Sequence, residues 1–231
     1  MQKSAEIHLT AAVLVLLVAA CVLISGCSGV FSSGDGGVTS LSAVEVRSYE
    51  GEKLSPVNAF RENSIRGPQQ VNISNYRLTI GGLVKSPRVY TYDEVLGHFP
   101  QYSKVVTLYC VEGWDATILW EGVLVRDLVM DAGADSRATT IIFTARDGYT
   151  TSFPLAYVME NDILMAYRMN NVTLPVERGY PFQLVAEDKW GYKWIKWIEK
   201  IELSDNAAYR GYWEQRGYSD AADLDKSFYS R

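Results

Sequence analysis

The chain has 231 residues, of which 48% are hydrophobic and 21% charged, and its formal net charge is −5 at pH 7. This composition is typical of a globular protein with a substantial core, and the slight acidic excess gives no support to nucleic acid as a partner. The glycine-rich patterns of dinucleotide-binding and P-loop domains do not occur in the sequence, so nucleotide binding of these kinds is unsupported.

The first part of the chain has the features of an export signal. Residues 11–24 form an almost uninterrupted apolar run, and small residues precede Cys27. This pattern resembles a lipoprotein signal, so we predict a signal segment over 1–27 with the lipid on Cys27; Cys21 is an earlier candidate for the same role. An uncleaved anchor helix is the alternative, since about 20 apolar residues span a bilayer. Either outcome predicts an extracytoplasmic, membrane-anchored protein of the cell envelope.

The remaining chain divides into three parts. Residues 28–48 are rich in serine and glycine and cannot bury enough apolar surface to fold, so we predict a flexible spacer. One folded domain is predicted over 49–203, a size that allows a real core. A C-terminal tail follows over 204–231.

The predicted elements of the domain mix strands with short helices. In chain order they are a strand at 76–80, a helix after Thr91 to about residue 98, a strand at 104–109, a helix at 124–132, and strands at 139–145, 149–153, 163–169, 172–174, 182–186 and 194–203. Thr91 and Glu94 have the spacing of a capping box, and Asp147-Gly148 is a strong turn dipeptide. This irregular order predicts a β-rich α+β domain, not a doubly wound parallel sheet.

Cys110 is a thiol with no partner in its own chain once Cys21 and Cys27 are assigned to the signal. Such a cysteine is either a small buried hydrophobe or a reactive or metal-binding group. The one histidine outside the signal, His98, excludes a multi-histidine metal site, and no Cys-x-x-Cys-His motif exists for covalent haem. We interpret His98 as a partly exposed residue at a helix end and not as a base for Cys110.

Residues 189–200 combine lysines with aromatic side chains. If 194–203 is extended, Trp194 and Lys196 lie on one face, with Ile195 and Trp197 on the other. Lysines beside aromatic rings can hold a phosphate next to a flat heterocycle. Alternatively, the lysine stems cover an aromatic core while the ammonium groups reach water. The segment alone favours the second interpretation.

Several short motifs follow one another between residues 58 and 203, among them Cys110-Val-Glu-Gly-Trp114. They occupy 58–62, 76–84, 110–114, 120–128, 164–170, 174–181 and 189–198, and a further motif lies at 211–218. In order and spacing they resemble the molybdopterin-dependent oxidoreductases of the sulfite oxidase fold. That family includes sulfite oxidases and the catalytic subunit of the periplasmic methionine-sulfoxide reductase, and some members carry a tail similar to 211–218.

The resemblance implies a role for Cys110 as the thiolate ligand of molybdenum, and a soft thiolate suits such a metal. It also implies molybdopterin contacts at Asn58, Arg61, Glu62, Thr144, Arg178, Gln183, Trp194, Ile195 and Lys196. Where this chain has Arg178 and Gln183, the relatives carry an asparagine and an arginine, so the charge lies five residues earlier here. From the residues alone, Asn58 and Glu62 are typical of a capped or solvated loop, and Thr144 is ordinary in a strand.

The reaction implied by the resemblance is two-electron oxygen-atom transfer on a small substrate, either a sulfite-like anion or an S- or N-oxide. The cofactor supplies the chemistry, and the protein binds and orients it. Because the chain has no haem motif, electrons are expected to pass through a separate cytochrome or quinone-linked membrane protein. Residues 1–10 contain no arginine, whereas exported members commonly carry a twin-arginine signal. The alternative is therefore a cofactor-free surface lipoprotein that binds a ligand or partner through the pterin cleft.

Overall fold

The computed structural model describes residues 44–230. The predictions for the signal segment 1–27, for Cys21 and Cys27, and for the spacer up to residue 43 concern residues outside this range. Among the described residues, no helix is both long enough and apolar enough to cross a membrane.

The described chain forms an α+β fold with two five-stranded sheets, as the sequence predicts. Its elements are β1 (Ser48–Tyr49), β2 (Glu52–Lys53), β3 (Leu78–Gly82), β4 (Arg88–Tyr90), α1 (Tyr92–His98), β5 (Gln101–Tyr109), β6 (Asp115–Leu124), α2 (Val125–Ala132), β7 (Thr140–Ala145), β8 (Thr150–Pro154), α3 (Leu155–Glu160), β9 (Leu164–Met169), β10 (Val172–Thr173), β11 (Gln183–Val185) and β12 (Ile198–Ser204). Short 3-10 turns lie at Ile73–Asn75, Val176–Arg178, Gly191–Lys193 and Glu214–Arg216.

The first sheet has the strand order β10-β9-β6-β5, with β11 also paired to β9, and all its pairs are antiparallel. Its centre is the long β5–β6 hairpin, which pairs Gln101 with Val123 at one end and Tyr109 with Asp115 at the other. The loop after Tyr109 begins with Cys110. The hairpin therefore holds Cys110 at the end of a rigid ladder.

The second sheet has the order β4-β3-β12-β7-β8, in which β12 runs parallel to β3 and the other pairs are antiparallel. One hydrophobic cluster contains buried side chains from both sheets, including Trp120 and Phe143, so the sheets share a single core. Helix α2 adds Val125, Leu128 and Val129 to this core, at the spacing of one helical face.

The predicted helices 92–98 and 124–132 are confirmed to within one residue. Thr91 Oγ1 accepts a hydrogen bond from the Glu94 N–H at 3.2 Å, while the Glu94 carboxylate accepts one from the Thr91 N–H at 2.7 Å, so the capping box is complete. Gly133 ends α2 in the left-handed conformation with φ +68°. Strand β6 and helix α3 were not predicted. Both faces of β6 are largely buried, which removes the polar alternation that marks a strand.

The predicted strand 194–203 is wrong in its first four residues. A 3-10 turn occupies Gly191–Lys193, and the strand begins only at Ile198. The reason is the backbone at Trp197, whose φ of +53° is left-handed and interrupts any extended chain. Trp194 and Trp197 are both buried, so these residues do not alternate between two faces.

The fold extends beyond both predicted ends of the domain. Before residue 49, the buried Glu45 carboxylate accepts a hydrogen bond from the Val57 N–H at 2.8 Å and another from Asn170 Nδ2 at 3.0 Å. After residue 203, the side chain of Glu214 is only 1% exposed and forms an ion pair with Lys193. The residues of the predicted tail therefore pack as part of the same structural unit.

Candidate active site

A cavity of about 490 Å³ opens where the β5–β6 hairpin ends. Its walls come from five stretches of the chain that lie far apart in sequence, namely 60–67, 108–114, 147–149, 178–197 and 213–218. Ligand cavities in proteins commonly have volumes of roughly 300–1,000 Å³. The cavity is therefore large enough for a cofactor-sized molecule.

Cys110 lies in the cavity wall, with 8% of its surface exposed. A tight turn fixes it, because its N–H donates to Trp114 O at 2.9 Å and its carbonyl accepts from the Gly113 N–H at 3.0 Å. Gly113 has φ +86°, a conformation that favours glycine. Burial raises the pKa of the Cys110 thiol, opposed by hydrogen bonds from the Glu112 backbone and the Asn63 side chain. Binding to a metal ion would deprotonate it outright.

Residues 57–64 are here named the N-terminal strap, and its residues 60–64 line the cavity beside Cys110. Asn63 Nδ2 lies 3.5 Å from Cys110 Sγ and donates to it. Arg61 Nη1 donates to Glu112 Oε2 at 3.1 Å, which joins the strap to the loop that carries the thiol. This ion pair is largely exposed, so it adds little to stability but sets the charge at the cavity mouth.

Arg178 holds the strap in place. Its Nε, Nη1 and Nη2 atoms donate to three strap carbonyls, those of Val57 at 2.8 Å, Arg61 at 3.2 Å and Phe60 at 2.6 Å. Its guanidinium carbon also lies 3.7 Å from the centroid of the Phe60 ring. The guanidinium spreads its N–H donors over three nitrogen atoms in a fixed plane, whereas a lysine ammonium carries all its donors on one atom. Arg178 is thus oriented by the strap rather than left as a free cation for a ligand phosphate.

Lys196 projects into the same cavity with its side chain 14% exposed. Its Nζ donates to Glu62 Oε1 at 2.6 Å and to Glu177 O at 3.1 Å, and it lies 4.4 Å from the centroid of the Trp197 ring. Burial lowers the pKa of the Lys196 ammonium, and the Glu62 carboxylate opposes that shift. The lysine is therefore a paired cation that contacts an aromatic ring.

One buried polar group in the wall lacks a protein partner. The Ser64 hydroxyl oxygen is buried with no hydrogen-bond partner in the described chain. Gln183 is 4% exposed and adds a polar side chain to the same lining. A buried polar group without a partner costs about 1–3 kcal/mol, so a bound polar molecule would relieve the Ser64 hydroxyl. A thiol that can bind a soft metal, polar side chains and aromatic walls together fit a metal held by a flat, polar cofactor.

The cavity brings together eight of the ten cofactor and metal residues proposed from the sequence. They are Arg61, Glu62, Cys110, Arg178, Gln183, Trp194, Ile195 and Lys196. Asn58 is exposed and Thr144 is half-buried within β7, and neither lines the cavity. His98 does not line the cavity either. Its Nε2 lies 3.5 Å from Asp131 Oδ1, and it is a partly exposed residue at a helix end, as predicted.

The sequence interpretation missed several lining residues. They are Asn63, Ser64, Glu112, Asp147, Tyr192, Trp213 and Tyr218. Asp147 had been considered only as part of a turn, and its Oδ1 does accept the Tyr149 N–H at 2.9 Å, yet the side chain is buried against the cavity. Trp213 and Tyr218 come from the predicted tail. The motif at 211–218 could have predicted this, because its aromatic residues indicate a segment that packs against the domain.

The fold and the cavity together define a cofactor-sized site that is lined by one thiol and by polar and aromatic side chains. Residues 65–213 match the family described as "Oxidoreductase molybdopterin binding domain". The chain therefore belongs to this family of oxidoreductases, and its cofactor is molybdenum bound to molybdopterin.

Three relatives illustrate the match. A protein of Azospira oryzae, provisionally named as a protein-methionine-sulfoxide reductase subunit, is 33% identical over 71% of this chain and 61% of its own. An uncharacterized oxidoreductase of Bacillus subtilis is 30% identical over 68% of this chain and 78% of its own. The catalytic subunit of protein-methionine-sulfoxide reductase of Gluconobacter oxydans is 30% identical over 57% of this chain and 47% of its own.

A solved structure supports the fold. The sulfane dehydrogenase SoxCD of Paracoccus pantotrophus superposes with a TM-score of 0.63 at 21% identity, over 83% of this chain and 58% of that chain. The chain thus spans less than two thirds of several proteins that it resembles.

The strap provides a first testable prediction. Arg178→Lys keeps the charge but replaces three donor nitrogens by one, so it cannot reproduce this contact geometry, and we expect the strap to loosen and molybdenum retention to fall by about tenfold. Molybdenum per chain after purification from a native-like host measures this. Arg146→Lys, in an exposed pair with Glu199 whose two residues do not line the cavity, is the matched control and should retain its metal. Wild-type metal content in Arg178→Lys would contradict the role of the clamp.

Proposed function

We propose that this oxidoreductase transfers an oxygen atom with two electrons, in the direction that reduces small neutral S-oxides or N-oxides. The observation that carries the proposal is the charge of the cavity wall. Each of its cations has a partner, because Arg61 faces Glu112, Lys196 faces Glu62, and Arg178 is bound to strap carbonyls. Asp147 adds a third carboxylate to the lining.

A sulfite-like anion is the other substrate class considered. Recognition of such an anion needs cationic donors that are free to form charge-assisted hydrogen bonds. In this wall three positive side chains are matched by three negative ones, so an anion gains little on entering. A neutral oxide does not need free cations for its recognition. The aromatic side chains of Trp114 and Trp213 suit its apolar substituents. The names of the Azospira and Gluconobacter relatives support the same class.

The residues of this chain divide the work of the reaction. Cys110 would hold the metal, while Lys196, Gln183 and Ser64 would supply polar contacts to the pterin. When bound, the molybdenum–molybdopterin group supplies the two-electron exchange of the reaction. Reduction of an S-oxide consumes two electrons and two protons and releases the sulfide and water.

Elemental analysis and a substrate panel test this function together. Protein produced in its native host should contain near-stoichiometric molybdenum and reduce S-oxides or N-oxides with an artificial electron carrier. Cys110→Ala should lose the metal and the activity, because its thiolate ligand is gone. His98→Ala is the control and should keep both, since His98 does not line the cavity. Native protein without molybdenum would contradict the proposal and support the cofactor-free ligand-binding alternative.

The substrate class depends on the Arg61–Glu112 pair, which gives a second test. Glu112→Gln releases Arg61 from its carboxylate partner without changing the size of the side chain. We expect sulfite to inhibit S-oxide reduction about tenfold more strongly in this variant, because a free cation then faces the cavity. Glu199→Gln, from the exposed pair with Arg146, should leave inhibition unchanged. Sulfite oxidation by the wild-type protein at rates above S-oxide reduction would reverse the assignment.

We also propose that the electrons come from a separate cytochrome or quinone-linked membrane protein. The relatives from Azospira and Gluconobacter are named as subunits, which supports a divided enzyme. The sequence contains no Cys-x-x-Cys-His motif for covalent haem. Spectroscopic re-oxidation of a reduced b- or c-type cytochrome by the protein plus an S-oxide would identify such a partner, and activity with the purified chain and a soluble nicotinamide cofactor alone would argue against it.

The third proposal of this kind concerns location: we propose that lipid on Cys27 tethers the protein to the outer side of a membrane. The support is the apolar run at 11–24 followed by small residues and a cysteine. Cys27→Ala should move the protein from the membrane fraction to the soluble extracytoplasmic fraction. Cys21→Ala separates the two candidates and should leave the protein in the membrane fraction. Unchanged fractionation of Cys27→Ala would contradict the assignment, and unchanged fractionation of Cys21→Ala/Cys27→Ala would favour the anchor helix.

A further inference from the structure

The chain after β12 passes along the edge of β8. Tyr212 N donates to Thr150 O at 2.9 Å, which continues the pairing beyond the sheet. Gly211 makes the closest approach, because an added Cβ would lie 2.3 Å from Thr150 O. A larger residue at 211 would push the segment away from the strand. The contact therefore fixes where this segment starts its path toward the cavity.

Two aromatic residues of the segment then reach the cavity. Trp213 and Tyr218 lie on either side of the turn Glu214–Arg216, and both line the cavity together with Cys110. The Tyr218 N–H donates to Trp213 O at 3.2 Å, and the two ring centroids are 5.0 Å apart. The position of the turn thus determines where both rings stand.

A buried ion pair holds that turn. Lys193 Nζ lies 2.6 Å from Glu214 Oε1, and both side chains are only 1% exposed. Lys193 also donates to Ser152 O at 2.7 Å, and the Thr151 hydroxyl donates to the same Glu214 oxygen at 3.0 Å. The second oxygen of Glu214 has no hydrogen-bond partner in the described chain. One ion pair therefore connects β8, the turn Gly191–Lys193 and the C-terminal segment.

Stability alone does not account for this pair. Removing two charges from water costs several kcal/mol per ion, and apolar residues of similar volume at such a place are often neutral or stabilising. Burial accordingly lowers the pKa of Lys193. A directional ionic contact, unlike an apolar one, permits a single register between the packed segments. Tyr192, the neighbour of Lys193, packs edge-on against Tyr218 with ring centroids 5.1 Å apart. The ion pair therefore also affects the position of Tyr218 in the cavity wall.

We propose that Lys193 and Glu214 are positioning residues that fix Trp213 and Tyr218 over the cavity, beside Cys110. Their charged groups bind each other and do not line the cavity. Their effect reaches the substrate through the two aromatic rings. The claim about position stands on the contacts alone, and only its effect on turnover rests on the proposed function.

The test replaces the pair by two unbranched apolar side chains in the variant Lys193→Met/Glu214→Met. The full chain should fold, with a melting temperature at or above that of the wild type. Amide hydrogen exchange in residues 211–219 should become about tenfold faster, because the register is no longer fixed. Turnover of an S-oxide should fall roughly a hundredfold in kcat, the loss expected from a misplacement of about 1 Å. KM should change by less than about threefold, because binding groups are retained.

Controls separate position from stability and from the proposed function. Arg210→Met breaks an exposed pair with Asp220 in the same segment and should leave exchange and kcat unchanged. Wild-type rates of amide hydrogen exchange and a wild-type kcat in the double variant would overturn the proposal. If the molybdenum-loaded wild type reduces no S-oxide or N-oxide, the proposed function fails, and the exchange rates of 211–219 still decide the positioning role.

Discussion

The cavity depends on the contact between the Arg178 guanidinium and three carbonyl oxygens of the N-terminal strap. The strap has no regular secondary structure, so no strand or helix neighbour supplies donors for its carbonyls. Arg178 supplies them, and its partner Val57 is 121 residues away in sequence. Because the strap is held there, Asn63 reaches the Cys110 sulfur and Glu62 reaches Lys196. One buried side chain thus places the strap residues that contact the thiol and the cation of the site.

The same contacts determine the charge that a substrate meets. A cation placed near a metal site attracts anions only if its charge is not already compensated. Arg61 and Lys196 each have a carboxylate partner within 3.1 Å, so the field of the wall is close to neutral before any substrate enters. Structural ordering and the charge of the wall are thus coupled, because the ion pairs that attach the strap to the cavity also compensate its cations.

Local rules made much of the fold predictable. The capping box at Thr91 and the turn at Asp147-Gly148 act within a few residues, and both are present in the structure. The start of β12 was not predictable in this way. Its position depends on the left-handed backbone of Trp197, whose N–H donates to Gly179 O at 3.3 Å and whose ring nitrogen donates to Val176 O at 2.8 Å. Such a conformation is rare for tryptophan and is imposed by distant contacts.

The site was predictable to the extent that motifs retain their spacing. Cys110 and Lys196 were identified because each lies in a motif of the family resemblance. The contact of Arg178 with the strap carbonyls was not predicted, because a sequence shows that an arginine is present but not which oxygen atoms surround it. Glu112 and Asp147 escaped notice for a related reason. A carboxylate in a loop is ordinarily solvated, and only the folded chain turns these two toward a cavity.

Three cations, the buried Arg178 and Lys193 and the half-buried Lys196, explain why the walls are held by polar and ionic contacts rather than by apolar packing alone. Arg178 fixes the strap, Lys193 fixes the C-terminal turn, and Lys196 pairs with Glu62 of the strap. Apolar segments would gain free energy by closing on one another, which would fill the space that a cofactor needs. A directional contact stabilises a segment at a set distance, so it can hold two walls apart. Burying these charges costs desolvation free energy. The fold accepts that cost because the same contacts keep a cavity open inside a packed protein.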